Sequence, residues 1–202
     1  MRRLLSSCAL GALLATAALA PAASAAQPAA ASASPYAQAI AGLERKDGLV
    51  PVFVDKAKGR VLLQLPAPGA DGVAGRYLYQ AGLRTGFGAA SAGLDRGKLG
   101  DTQLLAFRRI GGKVVAEYEN PRFRAVGASR DEQDSARNAF STSIVWSAPI
   151  LASATDGGLL IDVTSFLTRD IVGVADSLKR AGEAGYKLVP DLSMAEIGRA
   201  HV

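Results

Sequence analysis

A series of short apolar segments bounded by turn residues limits this chain to a fold rich in β-strands. The clearest pair, Leu104–Ile110 and Lys113–Tyr118, is separated by two glycines, a spacing typical of a β-hairpin. A second pair, Leu49–Asp55 and Arg60–Leu65, flanks a four-residue turn. Because neighbouring segments are joined by short turns, the sheet is expected to be mostly antiparallel. Three further segments have the length and composition of strands: Arg76–Gln80, Ser143–Ser147 and Leu159–Val163.

Two or three helices are expected among these strands. Ser129 and Glu132 have the spacing of a capping box, which predicts a helix that ends near Phe140. A Ser-Pro pair favours a short helix from Tyr36 to about Arg45. Apolar residues at helical spacing from Ile171 to Leu178 predict a last helix that ends at a Gly182 cap. The predicted fold class is therefore α+β, with the helices packed against one side of a sheet built from hairpins.

The first 25 residues have the pattern of a secretory signal peptide. Two arginines precede an apolar stretch, Leu4–Ala20, and an Ala-Ser-Ala site suitable for cleavage ends at Ala25. We therefore expect an exported protein, either periplasmic or extracellular. A disordered Ala/Ser/Pro linker is expected at residues 26–34, followed by a single domain at residues 35–195.

Cleavage after Ala25 would change the chemistry available to the chain. It removes Cys8, the only cysteine, so that the mature chain would have neither a disulfide nor a thiolate ligand. It also lowers the formal net charge from +5 to +3, and the basic residues form no stripe that could follow a phosphate backbone. We therefore expect no nucleic-acid partner, and no membrane association after cleavage.

The last residues of the chain lack the character of a natural terminus. Ile197–Val202 matches one reading frame of a common short-read sequencing adapter, and Glu196 would be the junction codon. We therefore expect residues 196–202 to be a non-native tail and the natural chain to continue beyond Ala195. A frayed natural C-terminus is the alternative.

Few residues suited to catalysis remain once the leader and the tail are set aside. The only histidine, His201, lies in the tail, so a serine–histidine pair or a zinc site built from histidine and cysteine has no members here. Asp162, Asp170 and Asp176 are the late carboxylates whose spacing permits an acid–base pair, although such residues more often form salt bridges. No catalytic, cofactor-binding or metal-binding residue is assigned.

Segments distributed from Tyr36 to Ser193 share a pattern with one protein family. They are Gly48–Val52, Gly86–Gly88 with Gly93–Gly97, Asn120–Ala125, Phe140–Trp146, Ile161–Thr164 with Phe166 and Arg169–Asp170, and Gly185–Tyr186. Together they resemble the N-terminal region of large exported bacterial zinc-dependent metalloproteases. In that family a domain of unknown function follows the signal peptide and precedes the catalytic domain. One departure is Leu192, where the family tends to have arginine.

The resemblance implies that the protease chemistry lies in a downstream domain that this sequence does not include. In the family the zinc ligands lie in a His-Glu-x-x-His helix, and this string is missing here. We therefore expect this chain to be inactive by itself and to hold no cofactor, while zinc belongs to the catalytic domain of the parent metallopeptidase. That domain is the expected partner, and a peptide substrate is a second candidate.

Polar residues at positions shared with the family are candidates for a structural network. We expect an ion-pair or hydrogen-bond network, buried in the fold, that fixes the Gly-rich segment 82–100. Its candidate members are Asp95, Arg96, Asp162, Arg169 and Asp170.

Two other functions stay open from the sequence. A stand-alone exported binding module would take peptide or cell-envelope material at an exposed strand edge. A hydrolase that depends on carboxylates would use Asp162 and Asp170.

Overall fold

The apolar segments of the sequence pair into one antiparallel sheet of eight strands in the part of the chain that the structure describes. The computed structural model describes residues 33–86, 92–121, 125–140 and 142–193. The strands are β1 (Glu44–Lys46), β2 (Val52–Asp55), β3 (Arg60–Leu65), β4 (Val73–Tyr79), β5 (Gln103–Ile110), β6 (Lys113–Glu119), β7 (Ser143–Ser153) and β8 (Leu159–Asp162). The helices are α1 (Pro35–Ile40), α2 (Arg130–Ala139), α3 (Thr164–Leu167) and α4 (Val174–Arg180), and a 3-10 turn covers Pro190–Leu192.

The strand order shows two meanders joined at their ends. Among the described strands the order is β1-β2-β3-β8-β7-β6-β5-β4, and every neighbouring pair is antiparallel. The first meander comprises β1 to β3, and the second runs from β4 to β8. They meet where Leu62 of β3 lies opposite Asp162 of β8. The predicted hairpins β2–β3 and β5–β6 and the mostly antiparallel sheet are confirmed.

Strand β7 is longer than the sequence predicts because it continues through a proline. The predicted strand stops at Ser147, two residues before Pro149. Proline has no N–H group to donate and is rare within a central strand. Pro149 lies where β7 changes partner: it is opposite Lys113, the first residue of β6, and the next residue, Ile150, is opposite Ile161 of β8. The N–H donor that Pro149 lacks is therefore missing where β7 stops pairing with β6 and starts pairing with β8. The hydrogen-bond pattern between the strands is irregular at this point.

The larger hydrophobic core takes side chains from both halves of the sheet and from α3. Alternate strand residues face it, as a period of two requires: Leu105 and Phe107 from β5, and Val114 and Ala116 from β6. Phe166 of α3 is buried in the same core. The four-residue helix α3, which the sequence did not predict, thus supplies one of the core's largest side chains.

A smaller core lies on the opposite face of the sheet, where the two meanders meet. Phe53, Leu62 and Leu160 form it, and Ile40 of α1 packs against them. Leu63, the neighbour of Leu62, faces the larger core instead. The expectation that all helices pack on one side is therefore wrong, because these strands are apolar on both faces and each face is covered by a helix.

Helix ends differ from the predicted ones for local reasons. α1 ends at Ile40, before Gly42, which has a positive φ of 74°. The last helix begins at Val174 rather than Ile171, after Gly173 in the left-handed conformation. The capping box of α2 is confirmed, since Ser129 and Glu132 exchange hydrogen bonds.

Some predictions concern residues outside the described part of the chain. These are the signal peptide at 1–25, the linker at 26–34 apart from its last two residues, and the tail at 196–202. Among the described residues, no helix is both long enough and apolar enough to cross a membrane.

Candidate functional site

Asp162 organises the connection between β8 and α3. Its Oδ1 accepts hydrogen bonds from the Thr164 backbone N–H at 3.0 Å and from the Thr164 hydroxyl at 2.6 Å. The same hydroxyl oxygen accepts a hydrogen bond from the backbone N–H of Val61 in β3 at 2.9 Å. The carboxylate thus shapes the turn that starts α3, and Thr164 ties this turn to the neighbouring strand.

Arg60 lies between two carboxylates at this end of the sheet. Its Nη2 donates to Asp55 at 2.9 Å, and its Nη1 lies 3.9 Å from Asp162 Oδ2. Asp55 is buried and also accepts the backbone N–H of Lys58, which closes the β2–β3 turn. The pKa of the Asp55 carboxyl is held below its ordinary value, chiefly because Arg60 donates a hydrogen bond to it.

This lowered pKa predicts a pH dependence of stability. A carboxyl with a lowered folded-state pKa stabilises the fold above its unfolded-state pKa, about 3.9 for Asp, and loses that contribution as the pH falls through the folded value. We expect the free energy of unfolding to decline below about pH 4, and to decline less steeply in Asp55→Asn. Urea titrations between pH 7 and pH 3 measure how steeply the free energy of unfolding falls with pH in the parent protein and in Asp55→Asn. Asp101→Asn, at an exposed carboxyl, is the control; equal slopes in all three proteins would refute the role of Asp55.

Arg169 uses its guanidinium to join three elements. Nη1 donates to the Val145 carbonyl of β7 at 2.6 Å, and Nε donates to the Phe166 carbonyl of α3 at 3.2 Å. The guanidinium carbon lies over the Phe166 ring, 4.4 Å from its centroid. Nη2 is buried without a hydrogen-bond partner among the described atoms. The aromatic face below the guanidinium offsets part of the cost of burying that donor.

Asp170 caps the N-terminus of α4 with both carboxylate oxygens. Oδ1 accepts the backbone N–H of Val174 at 2.7 Å, and Oδ2 accepts that of Ala175 at 2.9 Å. The first amides of a helix have no partner within the helix, so this carboxylate satisfies two of them. Asp170 lies before the helix, which begins at Val174.

Loss of this cap is expected to destabilise α4. Asp170→Ala should lower the free energy of unfolding by about 1 kcal/mol, the usual cost of a lost side-chain cap. It should also speed hydrogen exchange of the α4 amides before it affects β5 or β6. Asp191→Ala, at an exposed carboxyl, serves as the control. An Asp170→Ala protein as stable as its parent would contradict the capping role.

Asp95 and Arg96 lie apart from the other three predicted network residues. Both side chains are exposed, and among the described residues no hydrogen bond or ion pair joins them to Asp162, Arg169 or Asp170. The candidate members therefore occupy three separate places: the Gly-rich segment, the β8–α3 turn, and the stretch between α3 and α4.

The backbone holds the Gly-rich segment together. Its two arms are joined by hydrogen bonds from Leu83 N–H to the Lys98 carbonyl and from Gly97 N–H to the Leu83 carbonyl, both at 2.8 Å. Leu94 is fully buried. A Cβ atom at Gly86 would clash with the backbone nitrogen of Arg96, so only glycine fits this close approach.

Two cavities lie next to each other at the C-terminal end of the described chain. The first, of about 470 Å³, is mainly apolar and is lined by Tyr79, Leu167 and Leu178 together with residues 186–189, 192 and 193. The second, of about 1000 Å³, is also mainly apolar, and its lining includes the polar residues Lys58 and Ser165. Thr168, Leu192 and Ser193 line both cavities. The volumes are typical of ligand sites.

The two aspartates that the hydrolase hypothesis would use, Asp162 and Asp170, line different cavities. Asp170 lines the first cavity, and Asp162 lines the second. Each carboxylate already accepts two hydrogen bonds, which hold a turn or a helix end. Among the described residues, no group of three or more His, Cys, Asp or Glu residues could hold a metal ion.

A comparison with known protein families identifies the family of this chain. Residues 97–197, half of the 202 residues, match the model of a family described as a domain of unknown function, DUF5117. The chain belongs to the DUF5117 family. No curated protein and no solved structure matches the chain.

The DUF5117 match covers four adjacent strands in the middle of the sheet and most of the candidate site. It contains β5 to β8 and α2 to α4, with Asp162, Arg169 and Asp170. Asp95 and Arg96 lie just before it. The sheet continues beyond the match, because β8 pairs with β3 and β5 pairs with β4.

The sequence pattern indicates the carboxylates Asp162 and Asp170 but not the two cavities. The first cavity is built from residues within the ranges 79–83, 167–178 and 186–193, which are far apart in the chain. The only sequence signal for it was the cluster of apolar residues after Gly185, which has neither helical nor strand periodicity.

Proposed function

We propose that this chain is the non-catalytic N-terminal module of an exported zinc-dependent metalloprotease. Membership of DUF5117 supports a domain of unknown function, and the finer proposal depends on the resemblance carried by the segments between Tyr36 and Ser193. On this proposal the zinc and the His-Glu-x-x-His helix belong to a catalytic domain that follows in the full-length protein.

The observation that best supports this proposal is the way the shared polar residues are used. Asp162 shapes the turn into α3, Arg169 joins β7 to α3, and Asp170 caps α4. Each of these side chains builds the fold around the cavities. Such use is expected in a module that supports or positions a partner domain.

On this proposal the predicted signal peptide directs export of the protein. Removal of residues 1–25 would release the module into the periplasm or the medium. The module would then assist folding of the catalytic domain, position its substrate, or hold it inactive. Its partners are the downstream domain of the same chain and a peptide substrate.

Reading the gene beyond the codon for Ala195 tests the proposal directly. An open frame that reaches a His-Glu-x-x-His string is the expected result. A native stop codon within the next few residues would refute the proposal, because no catalytic domain would then follow.

A native stop codon would favour the second candidate, a stand-alone exported binding module. The observation on its side is that β4 forms one edge of the sheet in the described part, with the side chain of Leu78 strongly exposed. An extended peptide could add to such an edge by main-chain hydrogen bonds.

A further inference from the structure

The two edges of the described sheet differ in how well they are protected from pairing with another strand. β1, at one edge, covers only Glu44–Lys46, and all of its side chains are charged and exposed. β4, at the other edge, runs from Val73 to Tyr79, and Arg76 is its only charged residue. Short, charged edge strands resist pairing with other chains, whereas longer, mostly uncharged ones permit it. β4 is therefore the edge at which a further strand can add.

The main chain of β4 has unpaired hydrogen-bonding groups at this edge. The N–H of Arg109 donates at 2.8 Å to the carbonyl of the residue before β4, so alternate residues of β5, counted from Arg109, turn their main-chain groups toward β4. One of these residues is Leu105, which lies opposite Tyr77. The two neighbours of Tyr77, Arg76 and Leu78, therefore turn their N–H and C=O groups away from β5. In the described part of the chain β4 pairs with no other strand.

This edge continues past the end of β4. The Gly100 N–H donates to the Ala81 carbonyl at 2.8 Å, so Ala81 bonds on the side of β5 and its neighbour Gln80 turns its main-chain groups outward. The register shift in β4 falls before Arg76. Residues 76–80 therefore form a regular edge, and alternate residues along it present a donor and an acceptor to a new strand.

The side chains at this edge complement those of a second copy. Leu78 is 82% exposed and lies midway between Arg76 and Gln80. If two copies pair antiparallel about a two-fold axis at Leu78, the two leucines meet, and each Arg76 lies opposite a neutral Gln80. Arg76 already pairs with Asp71 and Glu119 of its own chain, both at 3.0 Å. The pairing therefore covers an exposed apolar side chain and brings no like charges directly opposite each other along residues 76–80.

Pairing of β4 with β4 also gives a closed assembly. The two β4 edges are used up, and the outer edges of the joined sheet are then the two short, charged β1 strands. Pairing of β4 with β1 of another copy would instead leave an unpaired β4 edge at every step and build an open filament. The charged side chains of β1 oppose that arrangement.

We propose that the edge formed by β4 and Gln80 is the contact between two copies of this chain, paired antiparallel and centred on Leu78. The inference goes beyond the proposed function and does not depend on it, because it uses only residues of the described sheet.

The mass of the 202-residue chain in solution tests the proposal. Sedimentation equilibrium from about 1 μM to about 1 mM covers weak to moderate affinities and should show the mass rising from one chain to two and no further. Amide exchange at Arg76, Leu78 and Gln80 should be at least about tenfold slower in the dimer, because these N–H groups then donate across the new pair. A single-chain mass throughout would overturn the proposal and leave this edge to the peptide of the binding-module alternative. Growth beyond two chains would overturn the closed pair.

Charge variants at Leu78 test the position of the axis. Leu78→Lys and Leu78→Glu each place two like charges opposite each other, and each should weaken dimer formation by at least about tenfold. An equimolar mixture of the two variants should form dimers again, because the opposed charges are then of opposite sign. Leu49→Lys, at a leucine that is 89% exposed and lies outside β4, should leave dimer formation unchanged.

The mixture also separates lost pairing from misfolding, since misfolded variants would not recover when mixed. At concentrations where the parent chain is monomeric, all three variants should keep its melting temperature. Dimer formation that is unaffected by Leu78→Lys, or a mixture that stays monomeric, would overturn the proposed pairing.

Discussion

Replacing Phe166 by Ala is expected to lower the free energy of unfolding by about 3–5 kcal/mol, the usual cost of removing a buried aromatic side chain. The ring is 3% exposed and has three aromatic neighbours. Its centroid lies 5.5 Å from those of Tyr79 and Trp146 and 6.0 Å from that of Phe107. The Arg169 guanidinium lies over the same ring, so the substitution also leaves that cation without its aromatic partner.

Urea denaturation measures this loss of stability, with unfolding monitored by far-UV circular dichroism and by the fluorescence of Trp146. Leu49→Ala is the control, because Leu49 is 89% exposed and its loss should change stability by less than about 0.5 kcal/mol. A cost below about 1.5 kcal/mol for Phe166→Ala would mean that α3 does not anchor the core as the structure places it.

The second large effect is expected at the Arg108–Glu117 pair on the face of the sheet opposite the larger core. Glu117 of β6 is 3% exposed, and the Arg108 guanidinium of β5 donates to its Oε1 at 2.8 Å. The Thr142 hydroxyl donates to Oε2 at 3.3 Å. Arg108→Ala would leave a buried carboxylate without its cation, at a cost of about 3 kcal/mol.

A double variant shows whether the unpaired charge causes that loss. Arg108→Met with Glu117→Met should be more stable than Arg108→Ala, because two apolar side chains leave no charge buried. Arg76→Ala is the control on the same face: Arg76 pairs with Asp71 and Glu119 in an exposed position, where such pairs contribute at most about 1 kcal/mol. A double variant no more stable than Arg108→Ala would contradict this explanation.

Local signals in the sequence predicted the parts of the fold that depend on near neighbours. The glycine pair between β5 and β6 fixed a hairpin, and Ser129 with Glu132 fixed the start of α2. Pairing between distant segments left no such signal: β3 meets β8 about 100 residues later in the chain. The same holds for β7, where the sheet, rather than the sequence around Pro149, decides where the strand ends.

The candidate site, like the fold, could be predicted from the sequence only in part. The sequence marked Asp170 as a candidate member of a polar network, and the structure uses it to cap α4. Asp95 and Arg96 were grouped with it because of the family pattern, yet the Gly-rich segment is held by backbone hydrogen bonds and by the close approach at Gly86. A pattern of polar residues in a sequence does not reveal which of them the fold brings together.

The most direct test of the central claim compares the full-length gene product with the 202-residue chain for bound zinc and for zinc-stimulated peptide cleavage. Zinc content is measured by mass spectrometry after dialysis, and cleavage is measured with and without a chelator. The account predicts bound zinc and cleavage only in the full-length protein. Tightly bound zinc or zinc-stimulated cleavage in the 202-residue chain would contradict it.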